Sequence, residues 1–168
     1  FKQEMDVNVK ILAPNRIKSL LVKVKSDVLF GVLPKMVSEK YVDSENKILY
    51  VYDEYYKNQM TDAETAVELG ELGYKDELII ADSEDPKAIR YYNLCGFRMK
   101  PCRKYNGSRL GNTRKVKRFK SIVVSTQCPN CWRELNNLTY KKDENGNLRY
   151  DEFNIDPHTF SAIWYGLD

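Results

Sequence analysis

A mixed α/β fold, a β-sheet with helices on its faces, is the class this chain predicts. Three observations lead to it. Strand-like runs come first, strand–helix–strand alternation follows, and a helical segment closes the chain. Short apolar runs alternate with segments that carry helix caps at both ends. At 168 residues, 42% hydrophobic and 30% charged, the chain is long enough for one sizeable core and is composed like a soluble globular domain, not a disordered one. No apolar run approaches the ~20 residues of a membrane span and no signal peptide is visible, so no membrane association is expected.

Residues 1–20 have weak periodicity and a Pro14-Asn15 break, and read as a linker remnant or an extension of an upstream domain. The absence of Met at position 1 suits an excised domain. "SLLVKVKSDVLFGVL" (19–33) predicts a strand with Asp27 in its middle. "KYVDSENKILYVYDEYY" (40–56) predicts a hairpin, because two strand-like runs flank Asp43-Ser44-Glu45-Asn46. "TDAETAVELGELG" (61–73) predicts a helix, with Thr61 and Glu64 spaced as a capping box and Gly73 as its stop. The crossover rule sets this helix against the sheet, between the hairpin and the next strand.

"DELIIAD" (76–82) is a short apolar strand of the type buried on both faces. "DPKAIRYYNLCG" (85–96) predicts a second helix, capped by Asp85, with Pro86 in its first turn and Gly96 at its end. Strands are expected at 97–102 and 120–125, a basic helix at 111–119 and a helix at 129–140. Asn145-Gly146 marks a tight turn within 141–150, and Asp156-Pro157 opens a last helix over 156–167.

Charge is uneven although the net is only +3. Five acidic residues lie between Asp76 and Asp85, and ten Lys or Arg with no Asp or Glu lie between Arg98 and Lys120. An acidic pocket beside a basic surface suits a polyanion held next to metal ions; a solvated charged surface is the plain alternative. Asp82 ends a central strand, where the backbone is rigid and where ligands of open α/β sheets bind. Hard oxygen ligands suit Mg²⁺ and Mn²⁺, and two such ions ~3.5–4 Å apart can activate a water and stabilise the leaving oxygen of a phosphodiester. The candidates are Asp27, Asp82 and a group on the last helix. Asp27 can instead mark a turn or an edge, and Asp82 a cap network with Ser83 and Asp85. Glu84 and Asp85 read as cap or surface groups and Glu54 as an exposed charge.

The cysteines at 95, 102, 128 and 131 raise a zinc or a disulfide reading. Cys128-Pro-Asn-Cys131 has half a zinc spacing, but Cys95 and Cys102 do not complete it and His158 is the only histidine. Ordinary thiols in a reducing compartment are expected, and zinc is not.

The blocks "YVDSENKILYVYDEYYKNQMT", "IIADSEDPKAIRYYNLCGF", "CRKYNGS", "CPNCWRELNNLTYKKDENGN" and "HTFSAIWYGL", in this order, resemble the C-terminal nuclease domain of large terminase subunits. These are the DNA-packaging motors of tailed bacteriophages and prophages. The resemblance covers roughly residues 21–167. It implies an RNase H-like fold over 21–168, preceded by a remnant of the motor domain. It implies cleavage of concatemeric double-stranded DNA with two Mg or Mn ions held by three acidic residues. The second family carboxylate falls on Asp82. Counting back from Tyr41-Val42-Asp43 sets the first on Asp27 and the family proline on Pro34. Lys25 and Leu29 stand where that strand has glycines, and Leu33 where it has an acidic residue. The closing helix of the family reads like N-H-x-x-D-A-x-R-Y. Here Ser161 stands at the third aspartate and Trp164 at the arginine, and Asp156 is the nearest substitute, five residues earlier.

The resemblance also lays Arg103, Lys104, Arg109, Arg114, Lys115, Lys117 and Arg118 near the DNA path, as phosphate contacts without sequence readout. Gly107 and Ser108 permit close backbone approach. A motor domain, a small terminase subunit and a portal are the implied partners, in the host-cell cytoplasm during viral assembly. No G-x-x-x-x-G-K-[ST] phosphate loop lies in this chain, so the motor itself is absent from it. Three readings follow: a metal-dependent endonuclease with Asp27 and Asp82 holding the ions; a catalytically impaired RNase H-like module for DNA binding or motor assembly, favoured by Ser161; and another RNase H-like enzyme such as a resolvase or transposase core, against which the "WRELNNLTYKKDENGN" block argues.

Overall fold

The computed structural model describes residues 8–12, 21–25, 28–31, 42–43, 47–51 and 53–167, those before residue 47 by backbone alone. The elements are β1 (Asn8–Leu12), β2 (Leu21–Lys25), β3 (Val28–Gly31), β4 (Val42–Asp43), β5 (Ile48–Val51), α1 (Asp62–Glu71), β6 (Leu78–Ala81), α2 (Pro86–Leu94), β7 (Arg98–Pro101), α3 (Ser108–Val116), β8 (Ser121–Ser125), α4 (Pro129–Asn137), β9 (Tyr140–Lys142), β10 (Leu148–Phe153) and α5 (His158–Gly166).

The mixed sheet expected from the sequence is divided into two four-stranded sets. In the order β1-β8-β5-β4, β8 runs parallel to both β1 and β5, and β4 is antiparallel to β5. In the order β3-β2-β6-β7, β6 runs parallel to both β2 and β7, and β3 is antiparallel to β2. The described residues of the run 19–33 therefore form two antiparallel strands and not one. Ser26 and Asp27 are turn-favouring residues inside it. Asp27 lies outside the described residues. Within 1–20, residues 8–12 form β1 alongside β8. β9 and β10 make a separate antiparallel hairpin, turned at Gly146 with φ 82°.

Local signals account for most boundaries. Thr61 and Glu64 form the full capping box of α1, and Gly73 follows its end at φ 83°. Asp85 accepts from Ala88 N at 3.0 Å, opening α2 at Pro86, and Gly96 ends it at φ 90°. The basic helix starts three residues before its expected place. Gly107, at φ 79°, reverses the chain there, and Ser108 N donates to Tyr105 O at 2.8 Å. α4 stops at Asn137 instead of reaching 140, since Leu138 is extended and Tyr140 already pairs with Phe153 in the hairpin.

Two cores follow from this arrangement. Ala66, Leu69, Ala88 and Tyr92 of α1 and α2 cover Ile79, Ala81 and Met99 on one face of the second sheet. On the other side, α5 lies against β2, β3 and β6, while its side chains share a core with Leu49, Val51, Ile122 and Val124 of the first sheet. Every residue of α5 from Thr159 to Gly166 is buried. A helix apolar nearly all round belongs in such an interior position. It carries one polar face into that interior, and the site is built there.

Candidate functional site

β6 has a period of two, so Ile79 and Ala81 face α1 and α2 while Ile80 faces the α5 side. Asp82, the next even position, continues the α5 face just past the strand end. It is buried to 6% exposure. Tyr165 of α5 donates its hydroxyl to Asp82 Oδ2 at 3.2 Å. β7 is parallel to β6 and next to it, so the loop after β7 emerges beside the same strand end. That loop delivers Lys104, whose Nζ lies 2.6 Å from Asp82 Oδ1 and 2.8 Å from Glu84 Oε1. The ammonium also sits 5.8 Å from the centroid of the Tyr165 ring.

The charges are strongly coupled. Burial pulls the Lys104 ammonium toward neutrality, but its hydrogen bonds to Asp82 and Glu84 outweigh that, and it is held well above the usual lysine range. Burial and the Asp82 charge push the Tyr165 phenol up, so it stays a hydrogen-bond donor. Glu84 N also donates to Asp82 Oδ1 at 2.9 Å. Asp82 therefore serves the turn before α2 as well as the cleft, and Asp85 alone supplies the helix cap.

On α5, His158, Ser161 and Tyr165 fall at i, i+3 and i+7, one helical face. With Trp164 they line a cleft of about 230 Å³ together with Asp82, Glu84, Lys104, Asp156, and Ser108, Arg109 and Asn112 of α3. The structure thus brings Asp82, Ser161 and Asp156 to one cleft, although Asp156 precedes α5 and is largely exposed, 3.8 Å from His158 Nε2. Ser161 is 7% exposed, and its N–H donates to Pro157 O at 2.7 Å. Among the described residues, two buried polar atoms of the lining have no hydrogen-bond partner: Asn112 Oδ1 and Trp164 Nε1.

Of the basic residues expected near DNA, Lys104 and Arg109 stand at this cleft. Arg109 also lines a second hollow with Lys141 and Asp156, and its guanidinium donates to Asp151 O at 3.4 Å. Arg114 and Lys117 line a third hollow with Tyr140 and Tyr150, and Lys117 Nζ lies 5.8 Å from each ring centroid. Arg103 and Arg118 are exposed and Lys115 is half-buried; none of the three lines the Asp82 cleft.

Two glutamates hold the scaffold of the site, and sequence reasoning missed both. Glu54 is not an exposed charge. It accepts from Asn130 N at 3.0 Å, Asn130 Nδ2 at 2.6 Å and Cys131 N at 2.6 Å, capping α4 from 76 residues away. Glu134 of α4 accepts from the Thr159 hydroxyl and, at 2.9 Å, from Phe160 N, tying α4 to the start of α5. Burial pushes its carboxyl above the usual range. The "WREL" block contains Glu134, but no local pattern names its partner.

The donors at the cleft suit a hard divalent cation. Asp82, Asp156, Ser161 and Asn112 offer oxygen donors along its lining, and a cation, the Lys104 ammonium, is already bound at Asp82. Among the described residues no three His, Cys, Asp or Glu side chains form one metal-holding group. The four cysteines are free thiols; Cys128 and Cys131 are packed into the core, where burial pushes both thiols up.

Residues 32–168 match the family described as "Terminase RNAseH like domain". The chain is 59% identical over 127 residues to the PBSX phage terminase large subunit of Bacillus subtilis (strain 168). That alignment takes in 76% of this chain and 29% of the relative, so the chain spans less than a third of that protein's length. The fold resembles the g2p (large terminase) nuclease domain of bacteriophage SPP1, solved with bound Mn, at a TM-score of 0.73 and 23% identity over 95% of both chains. It also resembles the large terminase of the thermophilic bacteriophage D6E in complex with ADP, at a TM-score of 0.61 and 16% identity over 98% of this chain and 42% of that one. With the two-set sheet, the strand-end aspartate and the family match over most of its length, this chain belongs to the terminase RNase H-like domain family.

Proposed function

We propose that this domain is a divalent-metal-dependent endonuclease that cleaves concatemeric double-stranded DNA during phage or prophage packaging. The observation that carries the reading is Asp82: a buried carboxylate at the end of a parallel strand, in an open cleft, with a cation held against it. The Mn bound in the SPP1 nuclease domain supports divalent metal use. Asp82 would hold the ion with Asp27, and Ser161 and Asp156 would complete the oxygen set from the α5 side. Mg²⁺ or Mn²⁺ there supplies Lewis-acid chemistry to a phosphodiester. Lys104 and Arg109 hold the DNA backbone at the cleft by charge, and Arg114 and Lys117 extend that grip along α3. The RNase H-like domain would act beside a motor domain, a small subunit and a portal, and work in the host-cell cytoplasm.

The test is Mn²⁺ calorimetry on the purified domain beside Asp82→Asn, with plasmid nicking at the same metal concentration. Binding and nicking that both vanish in the variant support the reading. A second reading rests on Ser161, which carries no charge to hold two cations together. In it the domain retains DNA without cutting it. Plasmid retarded on a gel, with no metal uptake and no nicking, selects that reading.

A further inference from the structure

The two orphan atoms at the cleft are of opposite kinds. Asn112 Oδ1 is an acceptor and Trp164 Nε1 is a donor, both buried and both belonging to residues that line the Asp82 cleft. Asn112 is 3% exposed. Buried side-chain polar atoms in folded proteins are nearly always paired, so an unpaired acceptor and an unpaired donor on two cleft-lining residues leave room for a bound water, ion or ligand. A metal ion would be met by the amide oxygen, and a phosphate beside it by the indole N–H.

Asn112 reaches the cleft for a structural reason. It lies one turn after Ser108 on α3, so both face the same way, and α3 packs on α5. Asn112 lines the cleft that also holds Ser161, the residue that stands at the third acidic position. An amide oxygen is an ordinary hard ligand for Mg²⁺ and Mn²⁺. We infer that Asn112 is a metal ligand of this domain, its Oδ1 joining Asp82 as a further neutral hard-oxygen donor. This rests on the nuclease reading above. The Lys104 ammonium marks the place on Asp82 Oδ1 that the ion would take.

The experiment is Mn²⁺ calorimetry and Mn²⁺-dependent thermal shift on the purified domain, with Asn112→Leu, Asn112→Asp and Asp82→Asn. Asn112→Leu keeps the volume and removes the oxygen; it should weaken Mn²⁺ about tenfold or more. Asn112→Asp keeps the oxygen and adds charge; it should tighten Mn²⁺ and lower stability without metal. Should Asn112→Leu fold yet bind Mn²⁺ as the wild type does, while Asp82→Asn does not, Asn112 is no ligand and the nuclease reading stands. If Asn112→Leu fails to fold, unchanged affinity in Asn112→Asp overturns the assignment. Absence of Mn²⁺ binding by the wild type overturns both.

Discussion

Lys104 and Asp82 meet from the ends of adjacent parallel strands, with Nζ 2.6 Å from Oδ1. The pair is only partly open to solvent, at 30% and 7% side-chain exposure. The ammonium balances the carboxylate charge within the cleft. Removing it leaves a buried carboxylate with the Tyr165 hydroxyl and a backbone N–H as its remaining partners.

Lys104→Gln should therefore lower stability by about 1–3 kcal/mol, less than a fully buried pair would lose because the lysine is partly solvated. Millimolar Mn²⁺ should restore much of the loss, since the ion takes the vacated place. Urea melts with and without Mn²⁺ measure both effects. An unchanged midpoint in the metal-free protein would refute the argument.

Ser161→Asp adds a buried carboxylate to the cleft of Asp82. Without metal the like charges should cost about 1–3 kcal/mol of stability. With Mn²⁺ the order should reverse, and plasmid nicking should rise on the order of tenfold. A stable variant with no gain in Mn²⁺ affinity or nicking would favour the DNA-holding reading.

Glu54→Ala should cost about 1–3 kcal/mol, because two backbone N–H groups of the α4 start lose their acceptor together. The loss should show in the urea midpoint, with Mn²⁺ affinity per folded molecule unchanged. A silent substitution would mean that water replaces the cap.

Glu134 should make stability pH-dependent. Burial raises its carboxyl pKa in the fold above the unfolded value, so the folded state binds this proton more tightly. Its stabilising contribution is full below the unfolded pKa, about 4.3, and is lost as pH rises through the raised folded value. Glu134→Gln keeps one acceptor oxygen for Phe160 N and removes this dependence. Melting temperatures from pH 4 to 7 should fall less with rising pH in the variant. Parallel curves would show that burial at Glu134 has no such effect.

Arg109→Ala combined with Lys117→Ala should weaken plasmid retention at every sequence. The slope of log affinity against log salt should shrink by roughly 0.9 for each phosphate that the variant no longer neutralises. An unchanged slope would remove α3 from the DNA path.

Much of this fold was legible one segment at a time. The capping box at Thr61 and Glu64, the Asp85-Pro86 start of α2 and the turn at Gly146 are local features, decided by bonds within a few residues. Asp82 was legible as a candidate because a carboxylate ending an apolar strand stands out, and Ser161 because it interrupts a family pattern; the structure brings both to one cleft. The hairpin of β2 and β3 was harder, since an apolar run looks alike before and after a reversal.

By itself, the sequence determined the α/β class, most of the helices and the family, and it named the acidic positions to test. Only the tertiary structure decided who meets whom. Lys104 lies 22 residues from Asp82, and the sequence presents it as one more basic residue in a run; strand adjacency turns it into the cation of the cleft. Glu54 reads as a surface charge until the fold lays it on the start of α4. Asn112 carries no signal in a basic helix until the fold buries its oxygen without a partner among the described residues and sets the residue on the cleft of Ser161. The physical reason is the range of the forces involved. Caps and turns are satisfied within one turn of chain, whereas desolvation and ion pairing depend on which distant segments exclude water together.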